Sequence, residues 1–62
     1  MAQRIFDSQY GEVKLVEKFD CNTNEEFLEV YIGDNYDEYV GEVFVDIEAS
    51  DAEIDRALEE IL

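Results

Sequence analysis

Ser50-Asp51-Ala52-Glu53-Ile54-Asp55-Arg56-Ala57-Leu58-Glu59-Glu60-Ile61-Leu62 is the one stretch of this chain whose apolar residues keep a helical period. Ile54, Ala57, Leu58, Ile61 and Leu62 recur at i, i+3, i+4, i+7 and i+8, the stripe of an amphipathic helix. Ser50 and Glu53 open it as an S-x-x-E capping box, in which each side chain satisfies an orphan amide of the first turn. A helix over residues 51–61 is expected, with one apolar side that needs a surface to cover.

Upstream of Ser50 the period falls to two. The runs 3–7, 12–19, 26–32 and 38–47 are rich in Val, Ile, Phe and Tyr, as strands are. Ser8-Gln9-Tyr10-Gly11, Asp20-Cys21-Asn22-Thr23-Asn24 and Gly33-Asp34-Asn35-Tyr36-Asp37 separate them, and their turn-forming residues suit antiparallel hairpins. The fold class expected is α+β: a four-stranded antiparallel β-meander with one C-terminal amphipathic helix packed on one face. With 62 residues the chain has room for a single small domain. Its stability should be on the order of 3–9 kcal/mol.

Alternation divides the strand residues into two sets. Ile5, Val13, Leu15, Phe19, Leu28, Val30, Ile32, Tyr39, Val43, Val45 and Ile47 form a nearly pure apolar set, expected to meet the helix. Phe6, Val16, Phe27, Tyr31, Val40 and Phe44 fall on the other face, among Arg4, Lys14, Lys18, Glu12, Glu29, Glu42 and Asp46. One short helix covers one face only. The second face is therefore expected to be open, close to neutral and partly aromatic, and Phe6, Phe27, Tyr31, Val40 and Phe44 are its candidate dimer contacts. A slip of one residue in any strand would exchange its two sets.

Charge narrows the function further. Asp and Glu number 18 against 4 Lys and Arg with no His, a formal net charge of −14. Solubility asks for a magnitude of only about 2–8 in a small domain. A body of this length, about 27 Å across, spans a piece of duplex DNA carrying about sixteen phosphate charges. Direct nucleic-acid binding is excluded by the sign, and no apolar run is long enough for a transmembrane helix. At 47% hydrophobic residues the chain is globular in composition and not disordered. Within the helix, Asp51, Asp55 and Glu59 stand at i, i+4 and i+8, where like charges repel. Glu59 and Glu60 also occupy the end that the helix dipole disfavours for anions.

Sites for chemistry are scarce. Without His there is no histidine-based triad and no His-containing metal site. Cys21 is the single thiol; set among acids, it lacks the electropositive surroundings that activate a nucleophile, and it allows no internal disulfide. Adjacent acids such as Glu25-Glu26 and Asp37-Glu38 are expected by chance at this composition. Asp20-x-Asn22-x-Asn24-x-Glu26 is similar to the first half of a calcium loop, but Glu25 stands where that loop needs Gly and Tyr31 where it needs a bidentate Glu. A turn explains the same residues. No enzyme activity, catalytic residue, metal or cofactor is expected. The absence of an apolar leader in Met1-Ala2-Gln3-Arg4, with only one cysteine, points to a reducing, cytoplasmic setting.

In size and charge the chain resembles small acidic inhibitors of nucleic-acid enzymes, such as phage-encoded anti-restriction, anti-CRISPR and uracil-glycosylase inhibitors, and acidic immunity or antitoxin proteins. The resemblance is one of composition and covers no motif. It implies a basic protein partner, such as a nucleic-acid-binding protein, with Asp34, Asp37, Glu38, Glu42, Asp51, Asp55 and Glu59 as carboxylates facing its Arg and Lys. Tyr36 and Tyr39 would be the aromatic anchors. The alternatives are self-association through the open sheet face and an acid-rich surface that is merely solvated.

Overall fold

The computed structural model describes residues 2–62. Four strands, β1 (Gln3–Ser8), β2 (Gly11–Asp20), β3 (Glu25–Ile32) and β4 (Glu38–Val43), form one antiparallel sheet in the order β1-β2-β3-β4. One helix, α1 (Asp51–Leu58), follows them. The expected α+β meander is the fold of this chain. No helix among the described residues is long and apolar enough to cross a membrane.

Local chemistry accounts for each turn. In the first, Gly11 takes φ 110°, a conformation that costs glycine little, and closes a short hairpin that pairs Ser8 with Gly11. The buried Ser8 hydroxyl donates to Gly11 O at 2.6 Å and accepts from Tyr10 N–H at 3.1 Å. In the second, Asp20 Oδ1 accepts from Asn22 N–H at 2.9 Å, an Asx turn, and Asn24 takes φ 60°. In the third, Gly33 (φ 102°) and Tyr36 (φ 53°) both lie in the left-handed region, and Tyr36 N–H donates to Gly33 O at 3.1 Å.

The core gathers Phe6, Val13, Leu15, Leu28, Val30 and Val43 from the sheet with Ile54 and Leu58 from α1. Ile32, Val45, Ile47, Ala57 and Ile61 pack around them. β2 and β3 therefore face the way their alternation indicates, save for Phe19, which is exposed. β1 is reversed. Its register pairs Phe6 with Val13 and Arg4 with Leu15, so Phe6, 5% exposed, enters the core while Ile5, 52% exposed, faces solvent. Phe6 and Arg4 thus leave the open face on which alternation alone sets them.

β4 departs in two ways. A bulge between Val30 and Tyr31 moves the pairing from Val30↔Gly41 to Tyr31↔Tyr39. Tyr39 is turned outward by it, and Val40 packs against the core instead of lining the open face. The strand also ends at Val43, short of the expected Ile47. Asp46 closes a turn there, accepting from Glu48 N–H through Oδ1 at 2.8 Å and from Ala49 N–H through its carbonyl at 3.0 Å. Residues 44–50 then lead beneath the sheet to β1.

Arg4 receives them, donating to Ile47 O at 3.1 Å, Ala49 O at 2.8 Å and Asp51 Oδ1 at 2.8 Å. From this anchor α1 crosses from β1 to β4, where a Cβ on Gly41 would lie 3.4 Å from Ile61. Gly41 thus admits Ile61 to the sheet. Ser50 caps the helix by accepting from Glu53 N–H at 3.3 Å, and its hydroxyl donates to the Glu53 carboxylate at 3.2 Å. The helix closes at Leu58, before the expected residue 61. Glu60 N–H reaches Ala57 O and Ile61 N–H reaches Leu58 O, the tighter i to i+3 spacing of a final turn.

Candidate functional site

Asp34, Tyr36 and Asp37 share the turn 33–37 at one end of the sheet. A non-glycine residue at φ 53° costs on the order of 1 kcal/mol, and the Tyr36 phenol offsets this by donating to Glu12 Oε1 across the sheet. That hydrogen bond, with loss of hydration and the Glu12 charge, raises the Tyr36 phenol above its ordinary value. Asp34 and Asp37 are exposed beside it. Glu38 and Glu42 follow on β4, opposite Ile32 and Glu29.

The helix carboxylates behave differently. Asp51 is paired with Arg4. Asp55 accepts from Gln9 N–H at 3.2 Å and ties α1 to the first hairpin. Glu59 is exposed at the end of the helix. The expected set of binding carboxylates is therefore divided, since Asp51 and Asp55 serve the chain's own packing on the β1 side.

The open face carries two aromatic pairs. Phe27 and Phe44 have ring centroids 5.9 Å apart, and Tyr31 and Tyr39 meet edge to face at 5.6 Å. Ile5 is exposed on the same face at the β1 edge, opposite Lys14, while Val16 is buried between Gln3 and Glu29. The Tyr31 phenol donates to Glu29 Oε1 at 3.0 Å, and this bond, followed by desolvation and the charge of Glu29, raises its pKa. Tyr39 is raised chiefly by desolvation, then by the charges of Glu42 and Glu29. Lys18 Nζ stands 3.9 Å from Glu29 Oε1. With Arg4 gone to the inner side, Lys14 and Lys18 are the cations of this face, against Asp7, Glu12, Glu29 and Glu42. It is more acidic than alternation alone suggests.

A groove that the sequence pattern did not reveal opens along β4. Where the strand stops at Val43, a cleft of about 500 Å³ lies between residues 42–45 and the helix side of the chain. Val43, Phe44, Val45, Ala57 and Ile61 supply its apolar walls, and Glu42, Glu53, Arg56 and Glu60 line its rim. Phe44, 61% exposed, stands at its mouth. The glycine inside β4 was the available signal, since such a residue marks a bulge or a close approach.

The turn 20–24 is held by Asp20 and Asn24 as described above, and exposed Cys21 lies within it. Among the described residues, no three side chains of His, Cys, Asp or Glu gather as a metal site. Comparison with known protein families, with curated proteins and with solved structures finds no match.

Proposed function

We propose that this chain is a small acidic binding protein that engages a basic protein surface, acting as an inhibitor or nucleic-acid mimic toward a nucleic-acid-binding protein. One observation carries the reading: a net charge of −14 on a body 32 Å long, whose cations Arg4 and Lys18 are already engaged by Asp51 and Glu29. Duplex DNA of that length carries about nineteen phosphate charges at ~1.7 Å per charge. The chain thus presents most of the charge density of DNA on a folded surface. Binding rather than catalysis is the activity proposed.

The test is capture from nuclease-treated extract on the immobilised protein at low salt, followed by stepwise elution with rising salt. Basic nucleic-acid-binding proteins should dominate the bound fraction and leave as the ionic strength passes about 0.15 M, where the Debye length falls to about 8 Å. A bound fraction of neutral or acidic proteins retained at high salt would sink the proposal.

A second reading, self-association through the open sheet face, is favoured by the aromatic pairs there, Phe27 with exposed Phe44 and Tyr31 with exposed Tyr39, with Ile5 exposed at the far edge of the same face, because exposed apolar patches are uncommon on monomers. Sedimentation equilibrium decides it: Phe44→Ala with Ile5→Ala should abolish a dimer, and a monomer at high micromolar concentration removes the reading.

A further inference from the structure

We infer that the groove between β4 and α1 takes an extended, basic segment of the partner, laid along β4 as a fifth strand; this rests on the reading of the chain as a binder of basic proteins. β4 has β3 on one side, and among the described residues no strand pairs with its other edge. A free edge is a template for another strand, with main-chain hydrogen bonds giving affinity and alternate side chains giving specificity. The groove lies directly beside this edge.

Alternation in an added strand would send one set of side chains inward and the other outward. An inward side chain meets Val43, Val45, Ala57 and Ile61, which ask for an aliphatic group. Its inward neighbours, two positions away, come beside Glu53 and Glu60, which ask for Lys or Arg. Outward side chains meet Glu42 and the exposed ring of Phe44, a carboxylate and an aromatic face that together suit an arginine. Arg56, between Glu53 and Glu60 in the sequence, makes no ion pair among the described residues and leaves both carboxylates unbridged.

A second copy of the chain fits this edge poorly. Pairing β4 with β4 would bring Glu38 and Glu42 of two chains together, each chain carrying −14. A basic strand meets the opposite condition.

Two labelled peptides of about eight residues, the usual length of a strand, make the test. One has Arg at the outward positions and alternates Arg with Val at the inward ones; the other has the same residues but carries N-methyl groups on alternate backbone amides, which leaves its charge unchanged and removes amide donors. Fluorescence anisotropy at low salt should show the unmethylated peptide binding at least about tenfold more tightly. The pair Glu42→Lys and Glu60→Lys should weaken it about tenfold, and Asp7→Lys with Glu48→Lys, an equal change of charge at exposed positions that do not line the groove, at most about threefold. Thermal melts establish that both variants fold. Equal binding of the two peptides, or equal losses in the two variants, overturns the strand docking while diffuse charge recognition stands. Failure of both peptides to bind at low salt overturns the wider reading as well. A self-associated chain whose dimer the unmethylated peptide dissociates would put a second copy in the groove and overturn the inference.

Discussion

Arg4 and Asp51 stand 47 positions apart in the chain and meet at 2.8 Å. The ion pair itself is the smaller part of the contact, because the Asp51 side chain is 80% exposed and that of Arg4 only 29%. Exposed pairs contribute about 0–1 kcal/mol. The same guanidinium also holds the carbonyls of Ile47 and Ala49 and lies 5.5 Å from the Phe6 ring centroid. Arg4 therefore fixes where the chain leaves the sheet and where α1 begins.

Arg4→Ala should lower stability by about 2–3 kcal/mol, since two carbonyls lose a charged donor, whereas Asp51→Asn should cost under about 1 kcal/mol. Urea unfolding of the two variants checks this. Equal losses would show that the ion pair, not the carbonyl contacts, anchors the helix.

The reversed face of β1 gives a sharper contrast. Phe6→Ala empties a core position and should cost about 3–5 kcal/mol, enough to unfold much of a domain this small. Ile5→Ala should stay within about 1 kcal/mol. Circular dichroism melts decide between them, and the opposite ranking would restore Ile5 to the core.

The β1 residues show why part of the fold was readable and part was not. Turn chemistry and the change of period after Ser50 determine the element order, and β2 and β3 alternate cleanly enough to reveal their inner faces. β1 is short and carries apolar residues of both parities, Ile5 and Phe6, beside polar Arg4 and Ser8, so alternation alone misleads. Counting back from Gly11 through the hairpin would have paired Phe6 with inward Val13. In β4 the bulge adds a residue that no parity rule contains, and only Gly41 hints at it. Of the expected binding residues, Asp51 and Asp55 look free in the sequence because their partners, Arg4 and Gln9, are brought to them by the tertiary fold.

The tyrosines make stability depend on alkaline pH. In Tyr31 and Tyr36 the neutral phenol donates to a carboxylate, so each pKa in the folded chain is raised above its unfolded value of 10.0. Their contribution is fully present below pH 10.0 and is lost as pH rises through the raised values. The melting temperature should fall more steeply above pH 10 in the parent than in Tyr31→Phe with Tyr36→Phe. Parallel curves for the two proteins would contradict the phenol–carboxylate contacts.

Self-repulsion should also be measurable. Raising salt from about 0.01 M to 0.1 M shortens the Debye length from about 30 Å to 10 Å and should raise the melting temperature. Glu59→Lys relieves repulsion from Asp55 and places a cation at the favoured helix end, a gain of about 0.3–1 kcal/mol. The benefit should shrink at high salt. A melting temperature flat in salt would mean that the acidic surface carries little cost.

Competition against DNA comes closest to the proposed activity. A basic protein captured by the chain is purified, loaded with a labelled DNA duplex of about 20 base pairs, and titrated with the acidic protein at several salt concentrations. Release of the duplex, with an affinity that falls steeply as salt rises, is the result expected of a surface that stands in for nucleic acid. A ternary complex that keeps its DNA, or an affinity indifferent to salt, would contradict it.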